Sequence, residues 1–390
     1  MREVAIVAYA ETPIDVKTGR SAYDLAGEAF AALLASTGVP KAEIDGLHVV
    51  LPVSEGQNPF FAVYMADALG LSPTWLQLGA LGGASAVGGV ARAASAVREG
   101  RCSVALVIGA DAPSTVWRAN YGAYQPEFQS PTGIGGPPGM FGLLSSRYRA
   151  QYELDEDALA TIAITQREHA LLNDNACPKL RKPLTREEYH ASRAIADPLR
   201  MLDSVMFCDG ANAVLVTTDE HADRLGLHKR AYVAGYAEIT NFQGDEALPD
   251  VTQTGFSIVA PRALAEAGML GPAEVRMFHP YDDFTIAVLM QLEQIGFCAP
   301  GEGSRFVLET DLSYRGALPL NTGGGQISAG QPGLASGGVN VVEAVRQLFG
   351  EAGPRQVDDP RNAMVTGLGV IPYGRNWSVS NVLVLQGARA

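Results

Sequence analysis

The chain repeats itself, and the repeat limits what it can fold into. VAIVAYAET (Val4–Thr12) is echoed by VAGYAEIT (Val233–Thr240), and ALLASTGVPKAEIDGLHVV (Ala32–Val50) by ALAEAGMLGPAEVRMFHPY (Ala263–Tyr281). The glycine-led stretch Gly82–Gly100 is echoed by Gly323–Gly350, and VALVIGAD (Val104–Asp111) by NAMVTGLGV (Asn362–Val370). Four echoes in one order mark a tandem duplication of a βαβ-rich unit. The 390 residues are enough for two halves that each bury a core. Strands that alternate with helices predict an α/β fold with a largely parallel sheet covered on both faces.

The stretch Gly82–Gly100 (GGASAVGGVARAASAVREG) is the centre of the first unit. Small residues on every side of a helix predict close packing against other backbone, so this helix is expected to be buried. A glycine turn leading into a helix start also offers N–H groups to an anion or oxyanion. Ligands in open α/β sheets sit beyond the carboxyl ends of strands, so the two glycine turns are expected to converge on one cleft. The loop His279–Thr285 (HPYDDFT) is expected to face it too.

The alternation breaks between about Val116 and Leu202. That stretch begins rich in Gly, Pro, Tyr and Gln and becomes helical near Asp155–Leu172. It is too long for a structureless loop and reads as an inserted subdomain. The expected organisation is 1–115 plus 206–228 as the first half, 116–205 as an inserted loop domain, and 229–390 as the second half.

Charge and cysteine usage narrow the function. A net charge of −13 and the lack of a dense Lys/Arg cluster argue against a nucleic-acid surface. Lys179, Arg181, Lys182 and Arg186 are the best basic patch for a polyanionic ligand such as a CoA thioester, though a solvated charged face explains them as well. Cys102, Cys177, Cys208 and Cys298 are far apart without C-x-x-C spacing, which argues against a zinc site or a disulfide framework. The N-terminal apolar run reads as a strand and no run is long enough to span a bilayer, so the expected location is the cytoplasm.

Several longer segments then resemble the thiolase superfamily, and most of all its sterol-carrier-protein-X-type, lipid-transfer-protein branch. They are SAYDLAGEAFAALLASTGV (Ser21–Val39), LTREEYHASRAIADPLRMLDSVMFCDGANAVLV (Leu184–Val216), YDDFTIAVLMQLEQIGFCAPGEG (Tyr281–Gly303) and NTGGGQISAGQPGLASGG (Asn321–Gly338). The resemblance spans essentially the whole chain. It implies a duplicated thiolase fold, a five-layered α-β-α-β-α core with the loop domain over a CoA channel, and a homodimer.

The departures carry the chemistry. At the place of the family's nucleophilic cysteine stands Gly83, followed by Ala84, Ser85 and Ala86. The family's G-H-P is here Gly330-Gln331-Pro332, so an amide replaces the imidazole. The family's later His falls on Tyr281, with His279 two residues earlier, and TGLG (Thr366–Gly369) has no cysteine near it. Acyl-cysteine chemistry is therefore not expected. Tyr281-Asp282-Asp283-Phe284 matches the Y-D-x-F pattern of a subgroup that lost the cysteine and resembles steroid side-chain acyl-CoA aldolases. The resemblance implies retro-aldol cleavage of a β-hydroxyacyl-CoA, with CoA as part of the substrate, no covalently bound cofactor and no metal. It also implies a small companion protein with an OB fold and a zinc ribbon.

The expected catalytic set is Tyr281, Asp282, His279 and Gln331. Gly83, Ser85, Gly324, Gly325, Gly330 and Gly369 are expected to line the substrate. Each has a plainer reading. Tyr281 caps a buried strand end, an aspartate caps the following helix, and His279 is a satisfied core histidine. Tyr373 and Arg375 lie after the last glycine turn, where loop packing explains them as well as a reach into the cleft does. Two other functions fit the same residues: a non-catalytic acyl-CoA- or lipid-binding scaffold, and an acyltransferase resembling acetyl-CoA acetyltransferase. Finally, the missing Gly83 side chain is expected to leave room for an acyl chain.

Overall fold

The computed structural model describes residues 3–388 apart from 57, 121–130, 132, 135, 248 and 370–376, and the side chains of 117–120 are likewise outside the description. The first half runs β1 (Val4–Glu11), α1 (Ala22–Thr37), β2 (Gly46–Val50), α2 (Phe61–Leu69), β3 (Trp75–Gly79), α3 (Ser85–Arg98) and β4 (Val104–Asp111). Helix α1 starts where a capping box allows it. The Ser21 side chain accepts from the Asp24 N–H, and Asp24 reaches back to Ser21. Gly38 ends it in the left-handed conformation at φ 68°.

The chain continues as α4 (Pro113–Asn120), α5 (Gly136–Gln151), α6 (Glu156–Leu171) and α7 (Arg186–Ala191), with a small ladder of β5 (Ala194–Ala196) and β6 (Leu199–Arg200). The chain re-enters the core as β7 (Gly210–Thr218) and α8 (Asp219–Arg224). The second half is β8 (Ala231–Thr240), α9 (Phe256–Glu266), β9 (Met277–His279), α10 (Thr285–Ile295), α11 (Gly303–Glu309), α12 (Gly325–Ala329), α13 (Gly337–Leu348), β10 (Asn362–Leu368) and β11 (Val379–Gly387).

Nine strands join in the order β3-β2-β4-β7-β1-β8-β11-β10-β9. The duplication is visible in that order. Reading outward from the β1–β8 junction, β1-β7-β4-β2 on one side answers β8-β11-β10-β9 on the other. The junction is short, with Ala5 opposite Tyr232 and Ile6 opposite Ala231. The expectation of a largely parallel sheet is corrected: only β2–β3, β2–β4 and β9–β10 run parallel. The last strand of each unit, β7 or β11, threads back antiparallel between two earlier strands. A returning strand of this kind carries the same apolar run as a parallel one, so its direction is not written in local sequence.

Helices α3 and α13 pack on each other and on strands of both halves. Their apolar residues share one core with both half-sheets, including Ile6, Val90, Val216, Val342, Val365 and Leu383. Helix α1 covers the outer face of the first half and α9 and α10 that of the second, in two further cores. The layers are therefore helix, sheet, central helices, sheet, helix. The glycine-led echo Gly323–Gly350 does not form one continuous helix. It breaks into α12, a 3₁₀ turn at Gly333–Ser336, and α13. Gly330 and Gly333 sit at φ 110° and 46°, and Pro332 between them lacks an N–H. The true counterpart of α3 starts at Gly337, where a side chain would strike the Gly83 carbonyl oxygen.

A buried charge cluster ties α13 to the site. Glu343 binds Arg346 and Arg355, accepts a hydrogen bond from Thr322 Oγ1 at 2.8 Å, and lies against Gly323. Arg346 also pairs with Glu11 across the duplication. The guanidinium groups hold the Glu343 carboxyl far below its ordinary value against the opposing effect of burial. Removing one member strands the others, so Glu343→Ala is expected to cost about 3–5 kcal/mol in urea unfolding. Because the folded value is depressed, this contribution is present at neutral pH and is lost as pH falls below the ordinary 4.5. Glu343→Gln should flatten the acid limb of the stability curve.

Candidate active site

The segment His279–Phe284 leaves β9 at its carboxyl end and is clamped on every side. Asn340 Nδ2 and Asn321 Nδ2 donate to the Pro280 carbonyl at 2.7 and 3.1 Å. The Tyr281 N–H donates to Thr366 Oγ1 at 2.9 Å, and Gln291 Nε2 donates to the Tyr281 carbonyl at 2.8 Å. Thr366 and Gln291 also bond each other at 2.5 Å. Thr366 stands where the family's late cysteine was expected, and its hydroxyl fixes the tyrosine backbone.

The Tyr281 side chain runs to the meeting point of the two central helices. Its hydroxyl lies 3.0 Å from Ser336 Oγ, just ahead of α13, and 3.5 Å from Gln331 Nε2. Its ring lies on Gly83, just ahead of α3, so closely that a Cβ at residue 83 would overlap ring atoms and hydroxyl alike. The expected room for an acyl chain beside Gly83 is therefore filled by the phenol. Burial, and next the charge of Asp283, push the phenol well above its ordinary range, so Tyr281 keeps its proton at neutral pH.

Asp282 faces the other way. Its carboxylate accepts from the Gln326 N–H at 2.8 and 3.0 Å and from the Ile327 N–H at 3.1 Å, at the start of α12. It does cap a helix, though not the following one: α10 begins at Thr285 without a side-chain cap. Gly325, at φ 57°, lets α12 approach Asp282 without a side chain in the way. Burial raises the carboxyl to about 7, against the pull of the two N–H groups. Asp283 is raised further, to about 8, by burial and the neighbouring Asp282. Its Oδ1 is sealed from solvent and accepts no hydrogen bond.

Gln331 is held by a strap from the returning segment. Its N–H donates to the Met206 carbonyl at 3.1 Å, and the Cys208 N–H donates to its own carbonyl at 2.8 Å. Its amide nitrogen donates to Gln326 Oε1 at 3.1 Å, leaving Gln326 Nε2 buried without an acceptor. Cys177 joins the strap through Ala329, and the two cysteines crowd Gly330.

The remaining expected residues divide. Ser85 Oγ accepts from the Leu81 N–H at 2.8 Å, so it closes the glycine turn. Gly324, at φ 100°, packs on Ala170 of α6. The Gly369 N–H is engaged with the Val379 carbonyl at 2.9 Å. His279 is fully buried with neither ring nitrogen hydrogen-bonded, and burial lowers it to about 4. The titratable neighbours that act on it are Glu343 and His169. Of the basic patch, Arg181 pairs with Asp174 and Arg186 with Asp157. Tyr373 and Arg375 lie outside the described residues. Sequence reasoning missed Ser336, Gln326, Asn340 and Gln291, which carry no motif of their own; their polar side chains in otherwise apolar helical runs are the available signal.

Comparison with known proteins follows the same lines. Residues 237–384 match the thiolase C-terminal domain-like family. A steroid side-chain-cleaving aldolase of Thermomonospora curvata is 30% identical over 95% of this chain and 96% of its own length. The 17-hydroxy-3-oxo-4-pregnene-20-carboxyl-CoA lyase of Mycobacterium tuberculosis is 29% identical over 89% of this chain and 92% of its own. The solved Ltp2-ChsH2(DUF35) aldolase superposes at a TM-score of 0.86 with 28% identity, covering 100% of this chain and 98% of that one.

The contact at Gly83 generates a direct test. Gly83→Ala adds one methyl group where the Tyr281 ring lies, and overpacking of this kind costs about 1–3 kcal/mol. Thermal unfolding is expected to show that loss, and a crystal structure of the variant a displaced phenol. An unshifted midpoint with the ring in place would contradict the packing described.

Proposed function

The chain belongs to the thiolase superfamily, in the sterol-carrier-protein-2-type branch that includes steroid side-chain-cleaving aldolases, and from that premise we propose that it is an acyl-CoA C–C lyase. The substrate class is a β-hydroxyacyl-CoA with a branched, steroid-like acyl part, and the reaction is retro-aldol cleavage to a carbonyl compound and a shortened acyl-CoA. The observation that carries this reading is the phenol of Tyr281 seated on Gly83. No nucleophile is present at that position, so the reaction proceeds without an acyl-enzyme there. Two full-length relatives named as an aldolase and a lyase support the reaction class.

Cleavage between the α and β carbons leaves an electron pair on the thioester, as an enolate. Tyr281 keeps its proton under these conditions, so its role is donation: a hydrogen bond from the phenol to the enolate oxygen. Such a preorganised donor in a water-poor site stabilises charge as it develops. Gln331 and Ser336 fix the hydroxyl's direction. Gly324, Gly325 and Gly330 let the α12 turn close against Ala170, Asp282 and Cys208, and Asp282 positions that turn. CoA enters as part of the substrate.

A homodimer with a small OB-fold, zinc-ribbon companion completes the reading. The similarity to an aldolase solved together with ChsH2(DUF35) supports the companion. Strand β3 supports the dimer: among the described residues it pairs only with β2, at the sheet edge, and leaves Leu76 38% exposed.

The test is cleavage of 17-hydroxy-3-oxo-4-pregnene-20-carboxyl-CoA by the chain co-expressed with its companion, with products followed by mass spectrometry. The complex is expected to turn over and the lone chain to be nearly inactive. Tyr281→Phe should lower kcat by ~10²-fold or more with assembly intact. Full activity in Tyr281→Phe would remove the phenol from the mechanism, and full activity in the lone chain would remove the companion.

A further inference from the structure

Retro-aldol cleavage needs a group that removes the β-hydroxyl proton, and most polar groups near Tyr281 are already committed. The phenol holds its own proton. The Asp282 carboxylate is occupied by two backbone N–H groups of α12. Gln331 is an amide, and Ser85 Oγ is tied to the Leu81 N–H. Thr366 and Gln291 bond each other and the Tyr281 backbone. His279 is sealed in the core beside the field of Glu343.

Asp283 differs from all of these. Its residue is partly exposed, while Oδ1 is shielded from water and accepts no hydrogen bond. A buried oxygen without a donor is rare, because it forfeits hydration with no return. Its backbone is fixed, with the Val205 N–H donating to the Asp283 carbonyl at 3.2 Å. The next residue, Phe284, stacks on Phe141 of α5 with ring centroids 4.2 Å apart. The backbone on either side of the carboxyl is therefore fixed by the returning segment and α5, and the carboxyl is close enough to Tyr281 for its charge to act on the phenol.

We propose that Asp283 is the catalytic base of this site, taking the proton of the substrate's β-hydroxyl and returning it to the α carbon. The proposal rests on the retro-aldol reading. The hydroxyl O–H breaks and its proton passes to the Asp283 carboxylate. The C–O bond becomes a carbonyl as the α–β carbon bond breaks, and that bond's electron pair enters the thioester as an enolate. The enolate carbon then takes the proton from Asp283, which leaves the carboxylate ready for the next turnover. No oxidant, reductant or second substrate is consumed.

The pH dependence follows from the surroundings. Asp282 and Tyr281 are the titratable neighbours of Asp283 on its own loop. On the returning segment Asp203 is turned to the Tyr189 and Thr285 hydroxyls. Phe141 on α5, and Gln331 and Ser336 ahead of α13, are neutral. Burial, and next the charge of Asp282, hold the carboxyl at about 8. The base form is the ionised one, so the rate should rise with pH through that value.

The experiment has two readouts, on the chain with its companion. The first is cleavage of the pregnene carboxyl-CoA. The second is exchange of the α hydrogens of propionyl-CoA in D2O, which needs the base but no bond cleavage. Asp283→Asn is isosteric and is expected to lose ~10²-fold or more in both, with the acid limb near pH 8 gone. Asp283→Ala should regain exchange on addition of formate, which a merely structural residue would not do. Wild-type exchange that persists in Asp283→Asn would overturn the proposal, as would a wild type that exchanges nothing. A wild type that exchanges but does not cleave would keep Asp283 as base and remove the aldolase reading.

Discussion

Everything at this site depends on one contact, the packing of the Tyr281 phenol against Gly83. The two residues come from different halves of a duplicated chain. They meet because α3 and α13 are packed back to back at the centre of the molecule, with Gly337 against the Gly83 carbonyl. A side chain at Gly337 would hold the helix starts apart, and one at Gly83 would displace the phenol. The absence of side chains at 83 and 337 and the presence of a phenol at 281 are thus one arrangement. Interiors pack at crystal-like density, so a position that loses a side chain must gain a neighbour. Here the neighbour carries a hydroxyl.

That exchange changes the chemistry open to the fold. A thiolase-type nucleophile at a helix start attacks a carbonyl. A buried phenol beside two carboxyls cannot do so, because desolvation and negative neighbours keep its proton on. It can donate to an oxygen that becomes negative. The clamp around it serves this end: Thr366, Gln291, Asn340 and Asn321 hold the backbone from three elements, so the hydroxyl has little freedom to reorient. The Glu343 cluster anchors α13 from below and reaches across the duplication to Glu11.

Much of this was legible in the sequence. The duplication was, because each echo is a local pattern that survives in order. The converging turns followed from it, and Gly83, Tyr281 and Gln331 do meet. Three features were not. The direction of β7 and β11 is set by how the chain returns to the sheet, and an apolar run is the same read either way. The break before α13 was written in Gly330, Pro332 and Gly333, yet the alanine and glycine content around them read as one helix. The filling of the space beside Gly83 is a tertiary fact: residues 83 and 281 are joined only by the fold. The carboxyls follow the same rule, since adjacent positions in an extended segment point to opposite sides. Asp282 turned to α12 and became a cap, and Asp283 Oδ1 was left without a donor.

In the proposed reaction carbon–carbon cleavage proceeds through a non-covalent enolate, without an acyl-enzyme. Intact-protein mass spectrometry of the complex, quenched during turnover of a β-hydroxyacyl-CoA, tests this. An unmodified chain is expected at every time point while product accumulates. An acyl adduct that forms and decays at the rate of turnover, on any residue, would contradict it.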